Sequence, residues 1–186
     1  MFQAKQALFA VAISSLLAFS FSALGQTSSA DLVASALDHG DRPSGDAADD
    51  ARRMPLEVLA FAGIEAGVTI LELEAGTGYY TEILSRTVGP NGNVIMQNPP
   101  AFDGIFGEAV EQRLAENRLS NVNLSRTNFD ELSATDNSVD MVTWILGPHE
   151  LWFQPGENVS LGNPEESFEE IFRVLKPGGV FLVIDH

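Results

Sequence analysis

The 186-residue chain contains no cysteine. That excludes disulfides, thiolate metal sites, a cysteine nucleophile and a lipidated N-terminal cysteine, and it leaves the compartment open. Basic residues are scarce: 10 Lys and Arg stand against 26 Asp and Glu, a formal net charge of −16. Every acid lies after residue 30, and Lys5 is the single base before it. A surface of that sign repels phosphate backbones and anionic lipid, which argues against nucleic acid as a partner and reads most simply as a well-hydrated exterior. Internal repeats are absent too. What remains is a chain of one-domain length whose hydrophobic content, 45%, suffices for a core.

The one long apolar run is at the start. Lys5 supplies a positive n-region, Ala7 to Leu24 is uncharged and largely apolar, and Ala23-Leu24-Gly25 fits a small-x-small cleavage site. Residues 1–25 therefore read as a signal peptide of an exported, periplasmic protein. The run is long enough to span a bilayer, but its serines and small-residue end favour cleavage, leaving no stable membrane span. Residues 26–47 are polar and rich in Asp, Gly and Ser, and read as a linker or loosely docked arm, with Leu32, Val33 and Leu37 able to form one short helix. His39, Asp38 and Asp41 could be drawn as a metal site, but three neighbouring loop residues define no ligand geometry, and no metal is expected.

The domain is expected over 48–186. Residues 48–63 predict an amphipathic helix with Leu56, Val58, Leu59 and Phe61 inward and Arg52 and Arg53 on the wet side, kinked or restarted at Pro55. The stretch that organises the rest is Val68-Thr-Ile-Leu-Glu-Leu-Glu-Ala-Gly-Thr-Gly-Tyr-Tyr-Thr-Glu-Ile-Leu-Ser85. A β-branched apolar run, a turn at Ala75-Gly76-Thr77-Gly78 and a helix with Tyr79, Tyr80, Ile83, Leu84 and Val88 at helical spacing make a strand–turn–helix unit. Such glycines let backbone approach a ligand, and the helix start offers free N–H groups. A tight turn without any ligand is the plain alternative. The dinucleotide fingerprint requires a further glycine where Thr81 stands.

Further strands are expected at Val94 to Asn98, Val122 to Leu124, Asn137 to Leu146 and Val180 to Ile184. Asn98 ends the second, where nucleotide-binding α/β domains place an acid for the ribose hydroxyls about 20 residues past the glycines. Asparagine brings a carbonyl oxygen without charge, and Gln97-Asn98-Pro99-Pro100 also reads as a plain turn. Gly147-Pro-His-Glu-Leu-Trp152 leaves the fourth strand, where such sheets place reactive loops. Among its residues His149 is a candidate general base, with Glu150 and Trp152 beside it. Helices are expected over Phe106 to Arg118 and from Asn163-Pro-Glu-Glu166 onward, the latter burying Phe168, Ile171, Phe172 and Leu175 before Lys176-Pro-Gly-Gly179 ends it.

The order acid-x-x-x-Gly-x-Gly, Glu72 to Gly78, resembles motif I of class I S-adenosylmethionine (SAM)-dependent methyltransferases, with Glu74 where that family usually has another glycine. The run Glu170-Ile-Phe-Arg-Val-Leu-Lys-Pro-Gly-Gly-Val-Phe-Leu-Val is similar to the region before their fifth strand. With Arg53-Met-Pro-Leu-Glu-Val-Leu-Ala-Phe and Gln97-Asn-Pro-Pro, the chain more narrowly resembles exported bacterial methyltransferase-like proteins. The resemblance implies a Rossmann-like α/β fold with a parallel sheet of order 3-2-1-4-5, lacking the last two strands of a C-terminally truncated domain. It implies S-adenosylmethionine as cofactor and a small-molecule substrate as methyl acceptor. Glu72 would orient the methionine amino end, with Glu74 beside it; Gly76 and Gly78 would pass beneath; Asn98 would hold the ribose and Asn128 the adenine, with Asp130 two residues on.

Three readings compete at this point: a methyltransferase, a non-catalytic ligand-binding or interaction domain that keeps the fold, and a nicotinamide oxidoreductase, which Thr81 and the strand-five region disfavour.

Overall fold

The computed structural model describes residues 27–185; the expected signal peptide lies outside the described residues. Five parallel strands form one sheet in the order β3-β2-β1-β4-β5: β1 Thr69–Leu73, β2 Asn93–Asn98, β3 Val122–Arg126, β4 Val139–Ile145 and β5 Leu175–Ile184. β1 lies at the centre, with Glu72 opposite Met96 on β2 and Thr143 on β4. Successive side chains of a strand point to opposite faces, so the apolar run of β1 feeds two cores. Leu71 and Leu73 join Phe129, Val142, Trp144, Ile171 and Val174 on one side. Ile70 joins Leu59, Tyr80, Ile83, Leu84, Val94 and Met141 on the other. Burial of both faces is what a continuous Val, Ile and Leu run in a parallel strand encodes.

The helices are α1 Ser29–Leu37, α2 Asp50–Arg53, α3 Pro55–Phe61, α4 Tyr79–Val88, α5 Asp103–Leu114 and α6 Pro164–Val174. None among the described residues is long and apolar enough to cross a membrane. α1 is a short helix at the place where Leu32, Val33 and Leu37 allowed one. Ser28 caps it by accepting from the Asp31 N–H, and Val33 and Ala36 are buried beside Leu59 and α4. Its apolar residues are few, but they share one face, and that face is enough to dock it.

The helix expected over 48–63 restarts at Pro55 as anticipated, but the inward placement of Leu56 and Phe61 is corrected. Met54 takes a left-handed conformation, φ 48°, between α2 and α3, and Pro55 opens α3. The break resets the helical phase. Pro55 and Leu59, one turn apart, point inward, while Leu56 and Phe61 are exposed. In α6 the Asn163 cap behaves as expected, accepting from Glu165 and Glu166 N–H. Its buried stripe, however, is Ser167, Ile171 and Val174; Phe168 and Phe172 are exposed. Among the described residues no strand lies beyond β5, and the Phe168 ring meets that of Phe181 on β5 at 6.4 Å. Lys176 to Gly179 does not precede β5 but forms an irregularity within it, where Lys176 pairs with Asp140 at 2.8 Å.

α4 is buried along nearly its whole length, and this includes Glu82, whose side chain has no exposed surface. Its carboxylate receives Arg118 at 2.5 Å, Arg86 at 2.7 Å and Arg113 at 3.4 Å. Burial works against ionisation, but the arginine hydrogen bonds outweigh it and hold the carboxyl below its ordinary range. Arg113 also grips Asp46 at 2.6 Å, and Arg118 the Asp41 carbonyl at 2.6 Å. The N-terminal segment is thus tied across the sheet's helical layer. Replacement Glu82→Gln leaves these arginines without their counter-charge and lowers the free energy of unfolding in urea by about 3–5 kcal/mol at neutral pH. A depressed carboxyl contributes stability that is lost as pH falls through its folded value, so variant and wild type converge in acid.

Candidate functional site

β1 delivers a turn of unusual backbone. Glu74, Gly76 and Gly78 all have positive φ, at 52°, 58° and 85°. Gly78 caps α4 and packs close to Met96 and Arg113. Glycine adopts such angles at no cost in Cβ contacts, whereas Glu74 does so with strain. The end of β2 braces this turn. Gln97 accepts from the Glu74 N–H through Oε1 at 2.9 Å and from the Ala75 N–H through its backbone oxygen at 2.9 Å. Asn98 accepts from the Gly76 N–H at 2.8 Å and donates to the Gly76 carbonyl at 2.9 Å. The Gln97 amide also donates to Thr127. Gln97-Asn98 is therefore the clamp of the glycine turn, and the amide at 98 both donates and accepts there, which an ionised aspartate cannot do.

Beside the turn lies a cavity of about 260 Å³, lined by Arg53, Glu72, Glu74, Gly76, Tyr79 and Tyr80 among others. Glu72 is buried and accepts from the Thr81 hydroxyl at 2.5 Å; burial pushes its carboxyl up to about 8, against that hydrogen bond. Thr81, where a dinucleotide site needs glycine, instead holds this carboxylate. Glu74 accepts from the Trp144 indole at 3.0 Å, and burial raises it to about 7, aided by Glu150. Gly147 permits this approach, because a Cβ there would fall 2.1 Å from Glu74 Oε2.

His149 stands in a short 3-10 helix after β4, half-exposed, with Nδ1 2.9 Å from Asp185 Oδ1 at the end of β5 and Nε2 3.8 Å from Glu150. The structure thus gathers Glu74, His149, Glu150 and Asp185 at the carboxyl ends of β1, β4 and β5. Gly78, Asn98, Asn128 and His149 are not among the residues lining the cavity. Asn128, after β3, is half-buried, and its carbonyl accepts from Glu131 N–H, while Asp130 is committed to the Asn163 N–H at 2.7 Å. Sequence reasoning missed Arg53, Gln97 and Asp185. Arg53 is separated from β1 by a helix and a turn, and the signal that marked its neighbourhood was the helix break at Met54-Pro55.

Residues 56–186 match the ubiE/COQ5 methyltransferase family. The ubiquinone/menaquinone biosynthesis C-methyltransferase UbiE of Hydrogenovibrio crunogenus is 31% identical over 68% of this chain and 45% of its own length. That of Pasteurella multocida is 32% identical over 67% and 42%. The chain therefore spans somewhat under half the length of these relatives. A SAM-dependent methyltransferase from Aquifex aeolicus superposes with a TM-score of 0.57 at 25% identity, covering 70% of this chain and 62% of that one. S-adenosylmethionine is the cofactor of this family. The residues present fit it: Glu72, buried, and Glu74, half-buried, line a cavity just under the ~300–1,000 Å³ of whole small-molecule sites, and among the described residues neither is in an ion pair.

Two outcomes test this geometry. A raised carboxyl gives stability that is full below its ordinary value and lost as pH rises through the folded one. The melting temperature of the unliganded protein therefore declines between about pH 4.5 and 8 on account of Glu72, and Glu72→Gln flattens that decline. Asn98→Asp removes the donor to the Gly76 carbonyl and sets oxygen against oxygen, which costs about 1–3 kcal/mol in chemical denaturation.

Proposed function

The chain belongs to the ubiE/COQ5 methyltransferase family, and from that premise we propose that it binds S-adenosylmethionine at the glycine turn and transfers the methyl group to a small apolar acceptor. The observation that carries this reading is the cavity at the carboxyl end of β1, walled by Glu72, Glu74 and the turn. The bound molecule supplies an electrophilic methyl carbon on a sulfonium sulfur. What remains for the chain is alignment and proton handling, since displacement at a positioned methyl needs little else. Glu72 takes the ammonium group. Asn98 keeps one amide hydrogen and one oxygen lone pair for a ribose hydroxyl, and Asn128 offers its amide to the adenine.

For the acceptor, the names of the UbiE relatives suggest a quinone-type ring carbon. Trp152 and Phe153, both exposed next to His149, suit a flat apolar molecule. Methylation at ring carbon releases a proton. With Nδ1 donating to Asp185, the basic nitrogen of the neutral His149 ring is Nε2, and this is the atom assigned to receive it. The export reading of residues 1–25 belongs to the same proposal and makes the mature protein periplasmic.

Calorimetric titration of the full chain with SAM gives saturable binding, and NAD gives none. Gly76→Val abolishes it, because a β-branched residue cannot hold φ 58° without strain. Labelled methyl transfer to a demethylated quinol falls about 10²–10⁴-fold in His149→Ala, with SAM affinity retained. A folded chain that binds no SAM overturns the enzyme reading in favour of a non-catalytic binding domain.

A further inference from the structure

Every arginine among the described residues but one has a carboxylate within about 3 Å: Arg42 with Asp50, Arg52 with Asp49, Arg86 and Arg118 with Glu82, Arg113 with Asp46, Arg126 with Asp103 and Arg173 with Glu170. Arg53 is the exception. Its only side-chain hydrogen bond is a long one, Nε to Asp49 at 3.4 Å, and its terminal nitrogens make none among the described residues. In a chain with 26 acids and 10 bases, an arginine whose carboxylate contact among the described residues is a single ion pair of 3.4 Å, with Asp49, stands out, and this one is held in place. Its guanidinium lies 4.7 Å from the Tyr79 ring centre and 6.0 Å from that of Tyr80. Its carbonyl accepts from the Tyr80 hydroxyl at 2.8 Å. The left-handed Met54 and Pro55 follow directly. Tyr79 is itself fixed by its hydroxyl, which donates to Asp50 at 2.6 Å.

Among the described residues Arg53 is also the single cation lining the cavity that Glu72 and Glu74 face. Two carboxylates and one guanidinium form the complement of a ligand carrying two cationic groups and one carboxylate. We propose that Arg53 is the carboxylate receptor of the site, binding the α-carboxylate of the ligand's amino-acid end opposite the ammonium group at Glu72. The planar fork of arginine matches a carboxylate with two parallel N–H bonds, and the tyrosine rings orient it before the ligand arrives. This inference rests on the SAM reading above and adds to it a residue outside the glycine turn.

Two ligands separate the roles. S-adenosylhomocysteine carries the amino-acid end; 5′-methylthioadenosine has the same nucleoside and thioether without it. By calorimetry on the full chain, Arg53→Met weakens S-adenosylhomocysteine about 10- to 100-fold, as loss of a charge-assisted pair does, and leaves methylthioadenosine unchanged. Arg53→Lys, which keeps the charge but not the planar fork, recovers part of the loss; circular dichroism and melting temperature establish that both variants are folded. Equal weakening of both ligands, or of neither, overturns the assignment. Should Arg53→Met not fold, Arg53→Lys decides alone: weaker S-adenosylhomocysteine with unaltered methylthioadenosine upholds the proposal, and any other pattern overturns it. A wild-type chain that binds both ligands equally refutes the role of Arg53 while leaving the cofactor site standing. Binding of neither ligand refutes both.

Discussion

The hydrogen bonds between the end of β2 and the turn after β1 are the constraint on which the site depends. A chain leaving a central parallel strand must reverse within a few residues to start its helix, and here it does so through positive φ at Glu74, Gly76 and Gly78. Gln97 and Asn98 satisfy the Glu74, Ala75 and Gly76 N–H groups and the Gly76 carbonyl, which the sheet ladder no longer reaches. Buried backbone groups must find partners, and with these supplied by one neighbouring strand the turn has a single geometry. The positions of Glu72, Glu74 and the α4 start follow from it.

Charge burial divides the molecule into two regimes. Around Glu82 the carboxylate and its arginines neutralise one another and bind the N-terminal segment to α4 and α5. At the mouth of β1 the opposite holds: Glu72 is buried and Glu74 half-buried against hydrogen-bond donors, their carboxyls are raised to about 8 and about 7, and Arg53 stands near them with a single 3.4 Å contact to Asp49. A chain that pairs its other arginines so consistently has the means to neutralise these carboxylates and does not. Two carboxyls whose ionisation is opposed by burial in one cleft, together with the strained Glu74 backbone, mark this cleft as the candidate site.

The N-terminal segment links the regimes. α1 docks by Val33 and Ala36, Arg42 and Asp50 form an ion pair against Tyr79, and Asp46 is held by Arg113. These contacts carry Arg53 to the cavity. A polar stretch rich in Asp, Gly and Ser reads as a linker because composition reports what a segment cannot bury by itself; it does not report Arg113 waiting on α5.

Much was legible in the amino-acid sequence because local periodicity and turn chemistry are local facts. The five strands, the Gly76-Thr77-Gly78 turn, the α4 stripe of Tyr79, Tyr80, Ile83, Leu84 and Val88, and the Asn163 cap follow from residue order alone, and motif resemblance supplied the strand order. Glu72 and Glu74 entered as site candidates through the resemblance to motif I. What only the tertiary structure decided is which partner each side chain meets. Asn98 and Gln97 became clamps of the turn, Phe168 and Phe172 were left exposed, Leu56 and Phe61 turned outward when Met54 reset the helical phase, and Asp185 came to His149 from 36 residues away. Those outcomes depend on packing between segments distant in sequence, and a burial or a hydrogen bond is a property of two surfaces, of which the sequence shows one at a time.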